Sequence, residues 1–77
     1  MDDNGIHERI SHLVDEEHAL RSKSDHTDED RRRIEALEVQ LDQAWDLLRQ
    51  RDALRDAGKS PSSAETRPPG EVEGYLQ

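Results

Sequence analysis

The fold is decided by residues 27–58, which read TDEDRRRIEALEVQLDQAWDLLRQRDALRDAG. The stretch opens with a helix-capping pattern, because the Thr27 hydroxyl can accept from free backbone N–H groups and Asp30 occupies the reciprocal third position. It closes with Gly58, which suits a left-handed helix cap, and Pro61 prevents the helix from continuing. The sequence therefore predicts one long helix over about residues 28–57.

One face of this helix is apolar. At about 100° per residue, a single stripe collects Ile34, Leu37, Leu41, Ala44, Trp45 and Leu48. Beyond Leu48 the same direction becomes polar, and a second apolar direction appears through Leu47 and Leu54. The last part of the long helix, residues 47–57, therefore needs a packing partner different from the one that buries the first stripe.

The predicted packing partner of the first stripe is a shorter helix over about residues 3–22. Its apolar residues at coiled-coil spacings are Ile6, Ile10, Leu13 and Leu20. The polar connector, residues 23–27, is short enough to bring the next helix back antiparallel. The predicted fold is all-α, a coiled-coil-like two-helix hairpin within residues 1–58. In this register Glu17 faces Arg33, and we expect that pair to fix the alignment through a salt bridge.

The remaining segment, residues 59–77, is rich in Pro, Ser and Gly, and its composition predicts an extended tail without a further helix. A two-helix layer is marginally stable, so we expect a homodimer, with two hairpins forming a four-helix bundle. Alternatively, the apolar end of the tail covers the hairpin of either copy, or docks on another protein. The predicted dimer or tail contacts are Trp45, Leu47, Leu48, Leu54, Val72, Tyr75 and Leu76.

Composition narrows the function. The net charge of −8 opposes binding to nucleic acid and to anionic membrane surfaces. The basic run at residues 31–33 has acidic residues at helical spacing on both sides, which predicts a self-neutralised face. No apolar stretch approaches the ~20 residues that span a bilayer, and the acidic start does not resemble a signal peptide. We therefore expect a cytoplasmic protein, and the lack of cysteine excludes disulfides.

No catalytic pattern is present, so we expect neither an enzyme nor a cofactor. The predicted function is a small non-enzymatic helical interaction or scaffolding protein. An alternative is a metal-binding bundle in which His12 or His18 acts with neighbouring carboxylates, because imidazole and carboxylate at helical spacing can ligate a metal. A third hypothesis is an adaptor whose acidic helices dock on a basic partner.

Three blocks of sequence carry a resemblance to a known family. They are residues 12–18 (HLVDEEH), residues 36–51 (ALEVQLDQAWDLLRQR) and residues 71–77 (EVEGYLQ). Together they resemble a family of short actinobacterial proteins classified only as a domain of unknown function. The resemblance spans nearly the whole chain and implies an intracellular actinobacterial protein. It brings no activity, cofactor or catalytic residue.

Overall fold

The structure is a computed structural model that describes residues 2–76, with side chains described for residues 2–74. It contains two long helices, α1 (Asp3–Arg21) and α2 (Asp28–Asp56), then a single 3₁₀ turn (Pro61–Ser63) and a short helix, α3 (Pro69–Leu76). Helix makes up 78% of the structure, and the described residues form no strand. The all-α prediction is confirmed. The prediction of a tail without a further helix is corrected by α3.

Each long helix begins at a side-chain cap. Asp2 accepts a 2.7 Å hydrogen bond from the backbone N–H of Gly5 at the start of α1. At the start of α2, Thr27 accepts from the N–H of Asp30, and the Asp30 carboxylate accepts from the N–H of Thr27. This reciprocal pair is the capping box that the sequence predicts. At the other end of α2, Gly58 has φ of +73°, the left-handed conformation that glycine adopts without a Cβ penalty.

The two long helices pack along the predicted apolar stripe. Within residues 2–74, the buried apolar side chains of the hairpin are Ile6, Ile10, Leu13, Leu37, Ala44 and Leu48. Four of these form one cluster near the open end, with Leu41 and Leu47 packed against it. Burying such side chains supplies most of the favourable free energy of a small fold, at about 1.5–3 kcal/mol for each large one.

Ion pairs at the edges of this seam show its register. Asp3 accepts from Arg51 at 2.5 Å and from Arg55 at 2.7 Å, which places the start of α1 beside the last turns of α2. Near the connector, Arg33 donates to Glu16 through two guanidinium nitrogens. The predicted pair of Arg33 with Glu17 is therefore corrected by one position, and Glu17 lies 3.7 Å from Arg21 on its own helix.

The tail forms a third layer on α2. After Gly58 the chain reverses, and Ser60 caps the 3₁₀ turn by accepting from the N–H of Ser62. Residues 64–68 are irregular, and α3 starts at Pro69, a position where proline loses no helical hydrogen bond. Both the 3₁₀ turn and α3 pack against α2. The tail of the same chain thus covers part of the surface that the sequence left open.

A helix that crosses a bilayer needs about 20 predominantly apolar residues. Among residues 2–76, no helix combines the length and the apolar character needed to cross a membrane.

Candidate interaction surfaces

The tail is attached to α2 by a buried ion pair between Asp46 and Arg67. Arg67 Nε donates to Asp46 Oδ2 at 2.8 Å, and Arg67 Nη2 donates to Asp46 Oδ1 at 2.6 Å. The Asp46 side chain has 0% exposure, whereas that of Arg67 has 34%. A bidentate pair of this kind matches the planar guanidinium to both carboxylate oxygens, which makes it directional as well as strong.

Two glutamines of α2 bind the backbone of the tail on either side of this pair. Gln50 Nε2 donates to the carbonyl of Glu65 at 2.7 Å, and Gln50 Oε1 accepts from the N–H of Glu65 at 3.4 Å. Gln43 Nε2 donates to the carbonyl of Arg67 at 3.1 Å. Gln50 also donates to Asp46 Oδ2 at 3.0 Å, which holds the carboxylate in place. We call Gln43, Asp46 and Gln50 the tail-binding face of α2.

The tail contributes one fully buried apolar side chain, Val72 in the first turns of α3. Val72 belongs to the predicted contact set, and it packs where α3 meets α2 of its own chain. The side chains of two further predicted contacts, Tyr75 and Leu76, lie outside the described residues, as does Gln77.

The residue after Val72 makes an unfavourable contact. A carboxyl–carboxyl hydrogen bond with Asp42 raises the pKa of Glu73, and desolvation and the charges of Asp42 and Glu38 act in the same direction. When Glu73 and Asp42 are both ionised, like charges meet at the edge of the tail-binding face, whereas Glu38 is paired with Arg21. The ionised form of Glu73 therefore opposes docking of the tail.

A second surface lies on one flank of the hairpin. Within the described side chains, the large apolar residues that remain exposed are Trp45, at 45%, and Val14, at 44%. The Trp45 ring meets His7 edge-on, with ring centroids 6.2 Å apart and planes at 77°. Leu41 is half-buried and lies one helical turn before Trp45. We call His7, Val14, Leu41 and Trp45 the Trp45 flank.

The other predicted contacts lie in the hairpin or beside it. Leu48 is buried in the core cluster, and Leu47 packs against that cluster. Leu54 is half-buried near the end of α2. Leu47 also lines a cavity of about 300 Å³ between the helices, with Arg9 and Thr66 at its rim. Among the described members of the predicted contact set, Trp45 is therefore the side chain left most open.

The alternative metal site has no ligand set in the structure. Within residues 2–76, no three His, Cys, Asp or Glu side chains come together in a way that could hold a metal ion. His12 and His18 are exposed side chains on α1. Neither histidine therefore has the additional ligands that a metal site requires.

The Asp46–Arg67 pair is not predicted from the sequence, because Asp46 lies in the long helix and Arg67 lies in the tail, and no local pattern links the two segments. Asp46 is one of many acidic residues on α2, and nothing local distinguishes it. The available signal was Arg67, which is the only basic residue after Lys59. A lone cation in a tail that ends in an apolar motif indicates an anchoring contact on an acidic helix.

These features define a class of protein: a small helical hairpin that carries its own tail as a third layer and leaves Trp45 exposed on one flank. The chain belongs to a family described as "Protein of unknown function (DUF2630)", whose model matches residues 2–77. Uncharacterized protein Mb0922c of Mycobacterium bovis is 47% identical over 70 residues, covering 86% of this chain and 80% of that protein. Uncharacterized protein Rv0898c of Mycobacterium tuberculosis matches with the same identity and coverage. No solved structure matches the chain.

Proposed function

We propose that this protein is a small non-enzymatic helical interaction protein that self-associates through the Trp45 flank. The observation that carries the proposal is the position of Trp45, which is nearly half exposed between the face of α2 that packs on α1 and the face that holds the tail. Tryptophan is enriched among the residues that dominate binding energy at protein interfaces, because it removes a large area from water with few rotatable bonds.

The arrangement of layers supports this choice of surface. One face of α2 packs against α1, and the tail-binding face is covered by the 3₁₀ turn and α3. Trp45 and Asp46 are adjacent in sequence and so point about 100° apart on the helix. The Trp45 flank thus lies between the two covered faces. A second hairpin placed against this flank forms the two-fold four-helix bundle expected from the sequence.

The titration behaviour of the carboxylates supports a structural rather than a catalytic role. Hydrogen bonds from Arg55 and Arg51 lower the pKa of Asp3 to about 2. A hydrogen bond from Arg33 lowers the pKa of Glu16. Each of these carboxylates lies at the edge of the helical seam, where its ionised form stabilises the hairpin. Perturbed pKa values can also mark active sites, but an ion pair accounts for the lowered pKa values of both Asp3 and Glu16.

Sedimentation equilibrium tests the proposal. The native chain is expected to show a monomer–dimer equilibrium, and Trp45→Ser is expected to weaken the dimer at least about 30-fold, the effect of losing a central anchor residue. Ala36→Ser is the matched control, because residue 36 is exposed and lies on the opposite side of α2 from Trp45. The weakest specific complexes have dissociation constants of about 1 mM. Self-association is contradicted if the native chain keeps its helices and remains monomeric up to that concentration.

A further inference from the structure

We propose that the tail-binding face is a peptide-recognition site that holds the chain's own tail as a self-ligand. Its external ligand is a basic segment of a partner protein, with arginine at its first position, an aliphatic residue at its sixth position and Lys or Arg at its seventh. The self-ligand shows the first two requirements directly, since Arg67 precedes the buried Val72 by five residues. The third follows from the charges that surround the next position.

Recognition of the peptide backbone is the first argument. Gln50 binds both the N–H and the carbonyl of Glu65, and Gln43 binds the carbonyl of Arg67. These bonds depend on the path of the segment and not on its side chains. Backbone bonds combined with side-chain pockets are the usual way in which a protein surface binds a short segment of another chain.

Selective contacts to two side chains are the second argument. The Asp46 carboxylate is wholly buried and engages a guanidinium through both oxygens, a geometry that lysine cannot reproduce. The Val72 side chain is fully buried, which favours an aliphatic side chain at this position. Their separation by five residues sets the register of a ligand along α2.

The imperfect fit of the self-ligand is the third argument. The position after Val72 holds Glu73, which faces Asp42, one helical turn before Asp46 on the same side of α2. Glu38 lies one turn further and is paired with Arg21, so Asp42 is the carboxylate that chiefly opposes Glu73. A ligand with a cation at this position replaces repulsion by attraction. The native tail therefore shields the tail-binding face from water, and a segment that matches the face better can displace it. The net charge of −8 also favours encounter with a basic partner.

This inference does not depend on self-association, because the Trp45 flank and the tail-binding face are different sides of α2. Loss of one activity leaves the other measurable. A Trp45→Ser chain is expected to bind a peptide ligand with unchanged affinity.

Fluorescence anisotropy with labelled synthetic peptides tests the proposal on the full-length chain. The receptor is the Arg67→Glu variant, in which the tail is repelled by Asp46 and the face is exposed. The probes have the sequence of residues 60–77, either native or with Glu73→Lys. We expect saturable binding of both, with the Glu73→Lys peptide binding roughly five- to tenfold more tightly, because one repulsive contact becomes an attractive one. The native chain binds each probe more weakly, since its own tail competes.

Two controls make the test specific. Adding Asp46→Asn to the receptor is expected to weaken binding at least about 30-fold, because the guanidinium loses its charged partner. A Glu73→Lys peptide in which residues 65 and 67 are exchanged has the same composition and net charge, and it is expected to lose binding similarly. If the Arg67→Glu receptor loses helicity by circular dichroism, the Arg67→Ala receptor replaces it.

The proposal is overturned by any of three results on a helical receptor. They are the absence of saturable binding up to about 1 mM, equal binding by the Asp46→Asn receptor, and equal binding of the exchanged peptide. The last two results indicate general attraction between an acidic protein and a peptide, without a recognition site.

Discussion

Replacement of Arg67 by alanine measures how much the tail contributes to the fold. Removing one partner of a buried ion pair commonly costs about 3–5 kcal/mol, because the other charge stays buried without compensation. Here the tail can move away and let water reach Asp46, and the Arg67 side chain is already 34% exposed. The loss is therefore limited to the free energy of docking the tail. We expect unfolding to become easier by about 2–3 kcal/mol.

Urea titration provides the assay, because Trp45 is the only tryptophan and its neighbour Asp46 belongs to the ion pair. Fluorescence reports this region, and circular dichroism reports the helices. A double-mutant cycle with Asp46→Ala isolates the pair, with an expected coupling of about 1.5–3 kcal/mol. Arg31→Ala is the control, since the Arg31–Asp28 pair is 66% and 79% exposed and is expected to contribute about 0–1 kcal/mol.

A small effect of Arg67→Ala refutes this reasoning. If the variant unfolds within about 0.5 kcal/mol of the native chain, no more than a typical exposed surface substitution, the pair does not anchor the tail. The same conclusion follows if the coupling between Arg67 and Asp46 is no larger than the effect of the control substitution Arg31→Ala.

Three further predictions concern the core and the pH dependence. Leu37→Ala removes a fully buried side chain of the seam and is expected to cost about 2–5 kcal/mol in a urea titration. Two arginines hold the pKa of Asp3 at about 2. The ionised Asp3 carboxylate therefore stabilises the fold fully above about pH 3.9, the pKa of Asp in the unfolded chain, and this stabilisation is lost as the pH falls through about 2. The stability gap between the native chain and Asp3→Asn should therefore close over that interval, and a constant gap contradicts the assignment. Glu73 has a raised pKa in the folded chain. Protonated Glu73 therefore contributes to stability at low pH, and this contribution is lost as the pH rises through that pKa. Hydrogen exchange, corrected for its intrinsic pH dependence, should show better tail protection on acidification in the native chain and little change in Glu73→Gln.

The hairpin could be predicted from sequence because its signals are local. The capping box at Thr27, the left-handed Gly58 and the apolar stripe each act within a few residues, and all indicate the same helix. The register error at Arg33 has a physical cause. Glu17 lies on the side of α1 that faces the seam. The long Arg33 side chain places its charged end at the edge of the apolar contact, where it meets Glu16.

The short third helix could not be predicted from the composition of the tail. Two prolines at residues 68–69 indicate a break, yet the second is also a favoured first residue of a helix. A helix of eight residues is unstable alone in water, so its formation depends on packing against α2. The segment that leads into α3 is bound to α2 by the ion pair of Arg67 with Asp46, 21 residues away in sequence. Local patterns carry no information about such a contact.

The tail changes the relation between folding and self-association. A bare two-helix layer leaves much of its apolar surface in water and would need a second copy in order to fold. With Val72 buried and Arg67 bound to Asp46, the chain supplies its own third layer. The proposed association through Trp45 then adds to a structure that is already folded. The proposed Trp45→Ser variant should therefore dissociate the dimer while retaining native helicity at low concentration. Joint loss of dimer and helix would mean instead that the tail is too weak to replace a partner.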